Sequence, residues 1–174
     1  IISLDATIYH PRNISIQGSR VELVSLNVFP DIPNAESVFG NLGTLDIVYT
    51  DMGLTYIPEY NVNTIGTVDL TDGYHVFVQD DESISYVGLP QDNTDWPVII
   101  EPNRFNSIGY LLNYENDVVE VFSDIVDQID IVQNDDGLVY IPSLDINTLG
   151  TMTPGTGYQV FLSSDQSATL IYES

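Results

Sequence analysis

Short runs of alternating apolar and polar residues dominate the chain, and they predict a β-rich fold. The runs are bounded by Gly, Pro, Asn and Asp, which is typical of strands separated by turns. In the first half, strands are predicted at 14–16, 21–29, 45–50, 54–57, 74–79 and 83–87. In the second half, strands are predicted at 98–100, 105–112, 129–133, 138–141, 158–162 and 168–172.

Each half also contains one segment with helical spacing. Residues 34–42 place apolar side chains on one face, and Asn34 is the predicted N-cap. In the second half, Asp117 and Glu120 have the spacing of a capping box. The apolar stripe that follows consists of Val118, Val121, Phe122 and Ile125. We therefore predict an α+β fold, dominated by β structure, with one short helix in each half.

The same pattern occurs twice, with an offset of 84 residues. GLTYIP at 53–58 returns as GLVYIP at 137–142. Other pairs at this offset include Asn63 and Asn147, Gly66 and Gly150, Gly73 and Gly157, Tyr74 and Tyr158, and Phe77 and Phe161. The duplication predicts two homologous small β units, at 1–88 and 89–174, with a junction at about 89–97. We expect the units to pack in tandem or as a pseudo-twofold pair.

The charge balance is strongly acidic. There are 26 acidic residues against three arginines and no lysine, which gives a formal net charge of −23. Such a field repels nucleic acid and anionic membranes, so we expect neither as a partner. Salt screens the self-repulsion of such a chain, which favours a saline, extracellular setting. No apolar run approaches the ~20 residues of a membrane-spanning helix, so we expect no membrane insertion.

The residue types that carry most enzyme chemistry are scarce. The chain has no cysteine, and this excludes disulfides, thiolate metal sites and cysteine nucleophiles. His10 and His75 are the only histidines, and neither has a histidine at the equivalent position of the other half. A Ser-His-Asp triad stays open, although no Gly-x-Ser-x-Gly elbow is present. The acidic clusters at 80–82 and 135–136 fall in predicted turns. We expect a protein that is not an enzyme.

Acidic side chains on predicted loops offer one candidate metal site. Calcium takes about six to eight oxygen ligands, which clustered Asp side chains can supply. Asp51, Asp135 and Asp136 are the candidate calcium ligands. Because no Asp-x-Asp-x-Asp-Gly loop is present, the indication is weak, and the expected cofactor is none.

The aromatic residues divide into repeated and unrepeated positions. Repeated aromatics are typical of the core of each unit, and they are Tyr56, Tyr140, Tyr74, Tyr158, Phe77 and Phe161. Unrepeated aromatics in loops or at edges can be exposed and can stack on sugars. These candidate ligand-binding residues are Trp96, Tyr60, Tyr86 and Tyr9. For Trp96, packing at the junction is an equally good interpretation.

Two of the three arginines occupy equivalent positions, Arg20 and Arg104. A lone cation in an acidic protein should be strongly paired, and arginine forms bidentate bonds with carboxylates. The first interpretation is a repeated structural clamp. The alternative is an anion site for a ligand carboxylate or sulfate.

Several longer motifs resemble a known repeat. They are RFNSIGY at 104–110, DDGLVYIP at 135–142, NTLG at 147–150 and PGTGY at 154–158. Together they resemble the tandem repeats of large secreted and surface proteins of marine Bacteroidetes-type bacteria, which are also seen in phage-fibre-like proteins. The resemblance covers nearly all of 98–174, and 14–88 more loosely. It implies a noncatalytic module of an exported protein, and the start at Ile1 rather than Met favours an excised or mature piece.

The function expected from these observations is that of a noncatalytic module of an extracellular or cell-surface protein. It would serve adhesion or assembly, in a filament or a surface array, with a polysaccharide, another surface protein or further copies as partners. One alternative is a polysaccharide-binding module of a secreted enzyme. Another is a phage receptor-binding or fibre domain.

Overall fold

A computed structural model describes residues 8–173 of the chain, and β strands dominate it. The strands of the first half are β1 (His10–Ile16), β2 (Val21–Ser25), β3 (Phe29–Pro30), β4 (Leu45–Tyr49), β5 (Thr55–Ile57), β6 (Val62–Asn63), β7 (Gly73–Val78) and β8 (Glu82–Leu89). Those of the second half are β9 (Val98–Ile100), β10 (Asn106–Ile108), β11 (Asn116–Asp117), β12 (Ile129–Gln133), β13 (Val139–Ile141), β14 (Ile146–Asn147), β15 (Thr151–Met152), β16 (Tyr158–Leu162) and β17 (Ala168–Leu170). The arrangement is β-dominated and sandwich-like, as the sequence predicts.

The helices are short. They are α1 (Ala35–Phe39) and α2 (Val118–Val121), and 3-10 turns form at Pro58–Tyr60, Asn93–Asp95, Ser123–Gln128 and Pro142–Leu144. The predicted N-caps are confirmed, because Asn34 and Asp117 each accept a backbone N–H of the first turn at 2.8 Å. The capping box is wrong in one respect. The Asp117 N–H bonds to the side chain of Asn116 rather than to Glu120.

Two five-stranded antiparallel sheets have the same strand order. The first is β2-β7-β4-β5-β6 and the second is β10-β16-β12-β13-β14. Their registers also match at the offset of 84, since Val48 pairs with Tyr56 and Val132 pairs with Tyr140. Even the register irregularity recurs, between residues 45 and 47 and between residues 129 and 131. The repeated sequence positions therefore specify the same sheet twice.

Smaller sheets complete the fold. They have the orders β1-β8-β3, β9-β17 and β11-β15. The long strands predicted at 21–29 and 105–112 are wrong in extent, because only β2 and β10 join the five-stranded sheets. Both strands end where the chain turns to bond with the other half. Ser25 N donates to Gly155 O at 2.9 Å, and Gly109 N donates to Thr71 O at 2.8 Å.

The two five-stranded sheets meet along β2 and β10. Gly157 N donates to Leu23 O at 2.8 Å, and isolated bridges join Val24 to Thr156 and Asp72 to Ile108. The two bridges correspond to each other at the offset of 84. Each sheet therefore has an inner edge, at β2 or β10, and an outer edge, at β6 or β14.

The core is one cluster of buried apolar side chains drawn from both halves. Its largest fully buried members are Tyr74, Tyr110, Tyr158, Tyr172, Phe39 and Phe122. The prediction of buried repeated aromatics is confirmed for Tyr56, Tyr74, Tyr140 and Tyr158. It is wrong for Phe77 and Phe161, which are only half-buried. Within residues 8–173, no helix is long and apolar enough to span a membrane.

Candidate functional site

The outer edge of each five-stranded sheet ends in a hairpin, which we call the outer hairpin (54–63 and 138–147). A 3-10 turn connects its two strands, and proline opens the turn in both copies. Asn61 and Asp145 close it with φ of 53° and 55°. Asn and Asp tolerate this left-handed conformation better than most residues, so the local sequence accounts for the turn.

Repeated polar residues fix the geometry of each outer hairpin. The Thr64 hydroxyl accepts the Thr55 N–H at 2.8 Å, and the Thr148 hydroxyl accepts the Val139 N–H at 2.9 Å. The side chain of Asn63 accepts the N–H of Gly66, and Asn147 does the same for Gly150. The repetition of these residues therefore has a structural explanation.

Apolar residues of the outer hairpins also recur, but they face solvent. Tyr60 and Leu144 are equivalent, and they are 69 % and 64 % exposed. Leu54 and Leu138 are equivalent as well, at 42 % and 41 %. Single exposed apolar residues are common on proteins, but exposure at matching positions in both copies is not explained by packing. The outer hairpins are therefore candidate contact surfaces.

The equivalent arginines contact aspartates of the opposite half. Arg104 Nη1 lies 2.9 Å from Asp51 Oδ2, and the same oxygen accepts the Ser107 N–H at 3.0 Å. Arg20 Nη1 lies 2.9 Å from Asp136 Oδ1. Asp135 Oδ2 lies 3.6 Å from Arg20 Nη2 and accepts the Leu23 N–H at 2.9 Å. In both cases an aspartate in a turn of one sheet accepts a backbone N–H of the inner edge strand of the other sheet.

The three candidate calcium ligands are thus Asp51, Asp135 and Asp136, and all three make ion pairs with arginine. Residues 8–173 contain no group of three or more Asp, Glu, His or Cys side chains arranged to hold a metal ion. Calcium binding would have to displace the arginines.

A serine and a histidine meet between the halves. His75 Nε2 lies 2.9 Å from Ser107 Oγ, and the His75 ring stacks on Tyr49 at a centroid distance of 4.7 Å. Burial lowers the pKa of His75, against smaller opposite effects of Asp51 and Asp135. No carboxylate within residues 8–173 hydrogen-bonds the imidazole, and Ser107 is only 4 % exposed. The pair lacks the third member and the access that an acyl-transfer site requires.

Asp72 lies at the inner edge, beside Asp69 and Asp51. The pKa of Asp72 is raised to about 6, chiefly by burial and also by the carboxylates of Asp69 and Asp51, against a lowering effect of Arg104. Folding thus raises this pKa above the ordinary value of 3.8. The stability that Asp72 contributes is therefore greatest below pH 3.8 and is lost as the pH rises towards about 6.

We expect Asp72→Asn to raise the free energy of unfolding by ~1 kcal/mol at neutral pH, a value reduced for partial solvent screening. Near pH ~3, below the ordinary pKa of 3.8, the two proteins should be almost equally stable, because Asp72 is then largely protonated in both the folded and the unfolded state. Urea unfolding at the two pH values measures the difference. A stability difference that does not change with pH would refute the assignment.

The four candidate ligand-binding aromatics lie in different environments. Tyr60 is highly exposed, and Tyr9 is 45 % exposed beside Asp31, whose carboxylate raises the pKa of the phenol. Trp96 is half-buried and packs on Phe29 at a centroid distance of 5.5 Å. The expected exposure of Tyr86 is wrong, because β8 is the central strand of its sheet and Tyr86 points into the core. The four do not share one surface.

Comparison with protein-family models, with curated proteins and with solved structures finds no match to this chain. Sequence reasoning missed the pairing of His75 with Ser107, because the two lie in different halves. It also missed the matched exposure at 60 and 144, although an apolar residue at both positions was a visible signal.

Proposed function

We propose that this chain is a noncatalytic module of an extracellular or cell-surface protein, and that it serves assembly through its outer hairpins. One observation carries the proposal. Tyr60 and Leu144, the apolar tips of the two outer hairpins, are both about two-thirds exposed, at 69 % and 64 %. The neighbouring cross-strand pairs, Ile57 with Val62 and Ile141 with Ile146, add apolar surface beside the tips.

A protein partner fits the outer hairpins better than a sugar does. Sugar stacking needs the flat face of an aromatic ring. Of the two tip residues, Tyr60 has such a ring, whereas Leu144 is apolar but not aromatic. Strands β6 and β14 are also the outermost strands of their sheets. An outer strand can extend its sheet by pairing with a strand of another molecule.

We further propose that the halves are homologous units related by a pseudo-twofold axis. The matched contacts of β2 with Gly157 and of β10 with Gly73 support this, as do the matched ion pairs of Arg20 with Asp135 and of Arg104 with Asp51. Such an arrangement gives one molecule two equivalent outer hairpins. A copy can then contact two neighbours, which is the requirement for a filament or an array.

Because the surface is acidic, we expect the association of copies to depend on the salt concentration. Two copies that each carry a formal charge of −23 repel each other at low ionic strength. At ~0.5 M salt the screening length falls to a few ångströms, and apolar contact between the outer hairpins can then dominate. The proposed extracellular and saline setting would supply the salt that such contact needs, and the resemblance to tandem repeats of secreted surface proteins supports this part of the proposal.

The test is the double variant Tyr60→Ser/Leu144→Ser, examined by sedimentation velocity. Wild-type copies should associate at ~0.5 M salt and separate at ~0.05 M salt. The double variant should associate at least about tenfold more weakly, because two apolar contacts are lost per molecule. The matched control Ile32→Ser/Ile99→Ser removes two other exposed apolar residues, at 58 % and 51 % exposure, and should associate like the wild type. Equal association of the two double variants would refute the proposal.

A further inference from the structure

The third arginine, Arg12, differs from the other two in its partners. Arg20 and Arg104 each have an aspartate oxygen at 2.9 Å. Arg12 has no carboxylate oxygen within 4.0 Å among residues 8–173. Its Nε donates to Asn27 Oδ1 at 2.9 Å, and Nη1 donates to Pro11 O at 3.1 Å. A guanidinium carries five N–H donors, so donors remain for another acceptor.

Arg12 lines a cavity of about 240 Å³ between β1 and the junction segment. The polar side chains that share the cavity are His10, Asn27, Gln91, Asn93, Asn113 and Tyr114. Among residues 8–173, no Asp or Glu lines the cavity, although the chain has 26 acidic residues. A shallower cavity on the Ser85–Val87 side of Arg12 also has no acidic residue in its lining, as far as residues 8–173 are concerned. The surroundings of Arg12 are therefore unlike the rest of this acidic surface.

Several polar groups of the cavity are free to bind a ligand. Three side chains make no hydrogen bond within residues 8–173, namely those of Asn93, Asn113 and His10. The ring of Tyr114 is 45 % exposed. Nearby, the buried hydroxyl of Tyr86 also has no hydrogen-bond partner in the described part of the chain. The pKa of Tyr86 is raised to about 12 by burial, against smaller lowering effects of the Asn27 backbone and of Arg12.

We propose that this cavity binds an acidic sugar, with the carboxylate or sulfate group on Arg12. The planar guanidinium matches both anions through paired N–H donors. The amides of Asn93 and Asn113 offer donors and acceptors for sugar hydroxyls, and the Tyr114 ring offers a flat apolar face. A whole acidic protein is a poorer occupant, because the field of −23 repels a large polyanion far more than a single charge.

The site occurs once, unlike the outer hairpins. The positions equivalent to His10, Arg12 and Asn27 carry Thr94, Trp96 and Leu111. Trp96 packs on Phe29, so the second half fills this place with apolar contact. The inference thus goes beyond the assembly function and does not depend on it.

Isothermal titration at ~0.5 M salt, where the repulsive field is screened, tests the inference. The probes are digalacturonate, galactose 4-sulfate and neutral galactobiose. We expect one acidic probe to bind at least about tenfold more tightly than galactobiose, and the tighter of the two identifies the anion. Arg12→Gln should weaken that binding by ~10- to 100-fold, and Arg12→Lys, which keeps the charge but loses the paired donors, by less.

Two asparagine variants test the cavity without changing Arg12, whose substitution could also affect folding. Asn113→Ala changes an exposed residue of the cavity, and Asn41→Ala changes an exposed residue outside it. Asn113→Ala should weaken binding several-fold, whereas Asn41→Ala should leave it unchanged. The inference is overturned if neither acidic probe binds the wild type at ~10 mM. It is equally overturned if Arg12→Gln, folded like the wild type, binds as tightly as the wild type.

Discussion

Gly109→Ala should lower the free energy of unfolding by ~3 kcal/mol or more. A Cβ atom at this position would lie 2.0 Å from Leu70 O, which is backbone and cannot rotate away. Both backbone groups of Gly109 are hydrogen-bonded as well. Its N–H donates to Thr71 O at 2.8 Å, and its carbonyl accepts the Tyr172 hydroxyl at 2.7 Å. Making room for the methyl group therefore requires the two halves to move apart. Thermal or urea unfolding measures the loss.

Ser25 provides the matched control for this substitution, because it occupies the equivalent position of the first half. It is buried, and its hydroxyl donates to Thr156 O at 3.0 Å. Ser25→Ala removes only this hydrogen bond and should cost ~1 kcal/mol. If Gly109→Ala were no more destabilising than Ser25→Ala, the close approach of the two halves at Gly109 would be incorrect.

Asp51→Ala should lower the free energy of unfolding by ~2–3 kcal/mol. The Asp51 carboxylate accepts the N–H of buried Ser107, and it also pairs with Arg104. Its removal leaves a buried backbone donor without a partner, which costs more than the ion pair contributes. Arg104→Ala should cost less, ~1 kcal/mol or below, because the arginine side chain is 37 % exposed and solvent screens its pairing.

Two further variants separate the backbone bond from the charge. Asp51→Asn keeps an oxygen that can accept the Ser107 N–H, so it should be less destabilising than Asp51→Ala. Asp46→Ala removes a carboxylate whose hydrogen bond to Gln79 is exposed and lies within the first sheet, so its effect should be small. If Arg104→Ala were as costly as Asp51→Ala, the ion pair rather than the backbone bond would hold the halves together.

Much of the fold could be predicted from the sequence, because it depends on local patterns. Alternating runs located most of the strands, and the N-caps Asn34 and Asp117 were correctly identified. Gly53 and Gly137 lie in the turns between predicted strands, and both have a φ of 80°. These features arise from neighbouring residues, so a single chain contains the information.

The structure differs from the sequence-based predictions mainly where distant segments of the chain meet. Residues 21–29 have a continuous strand pattern, but the chain leaves the first sheet after Ser25 because its N–H bonds to Gly155 in the other half. Tyr86 was expected to be exposed, yet its strand lies between two others. Neither the end of the strand at Ser25 nor the burial of Tyr86 can be inferred from local spacing, since both depend on contacts between distant segments.

The candidate sites were predictable only in part. Tyr60 was identified as an unrepeated aromatic, but its significance lies in the matched exposure of Leu144, which requires burial to be known. Arg12 was not identified, because its neighbours in the cavity come from four separate stretches of the chain. The available signal was the disagreement between the copies, since the second half has Trp96 at the equivalent position.

Hydrogen exchange at two protein concentrations tests the assembly role of the outer hairpins most directly. Backbone amides should be compared in dilute and concentrated protein at ~0.5 M salt, where the charge of the copies is screened. We predict slower exchange in the concentrated protein, confined to residues 54–63 and 138–147 and similar in both. Association accompanied by protection elsewhere, with the outer hairpins unchanged, would contradict the proposed function. So would a protein that stays monomeric at every concentration.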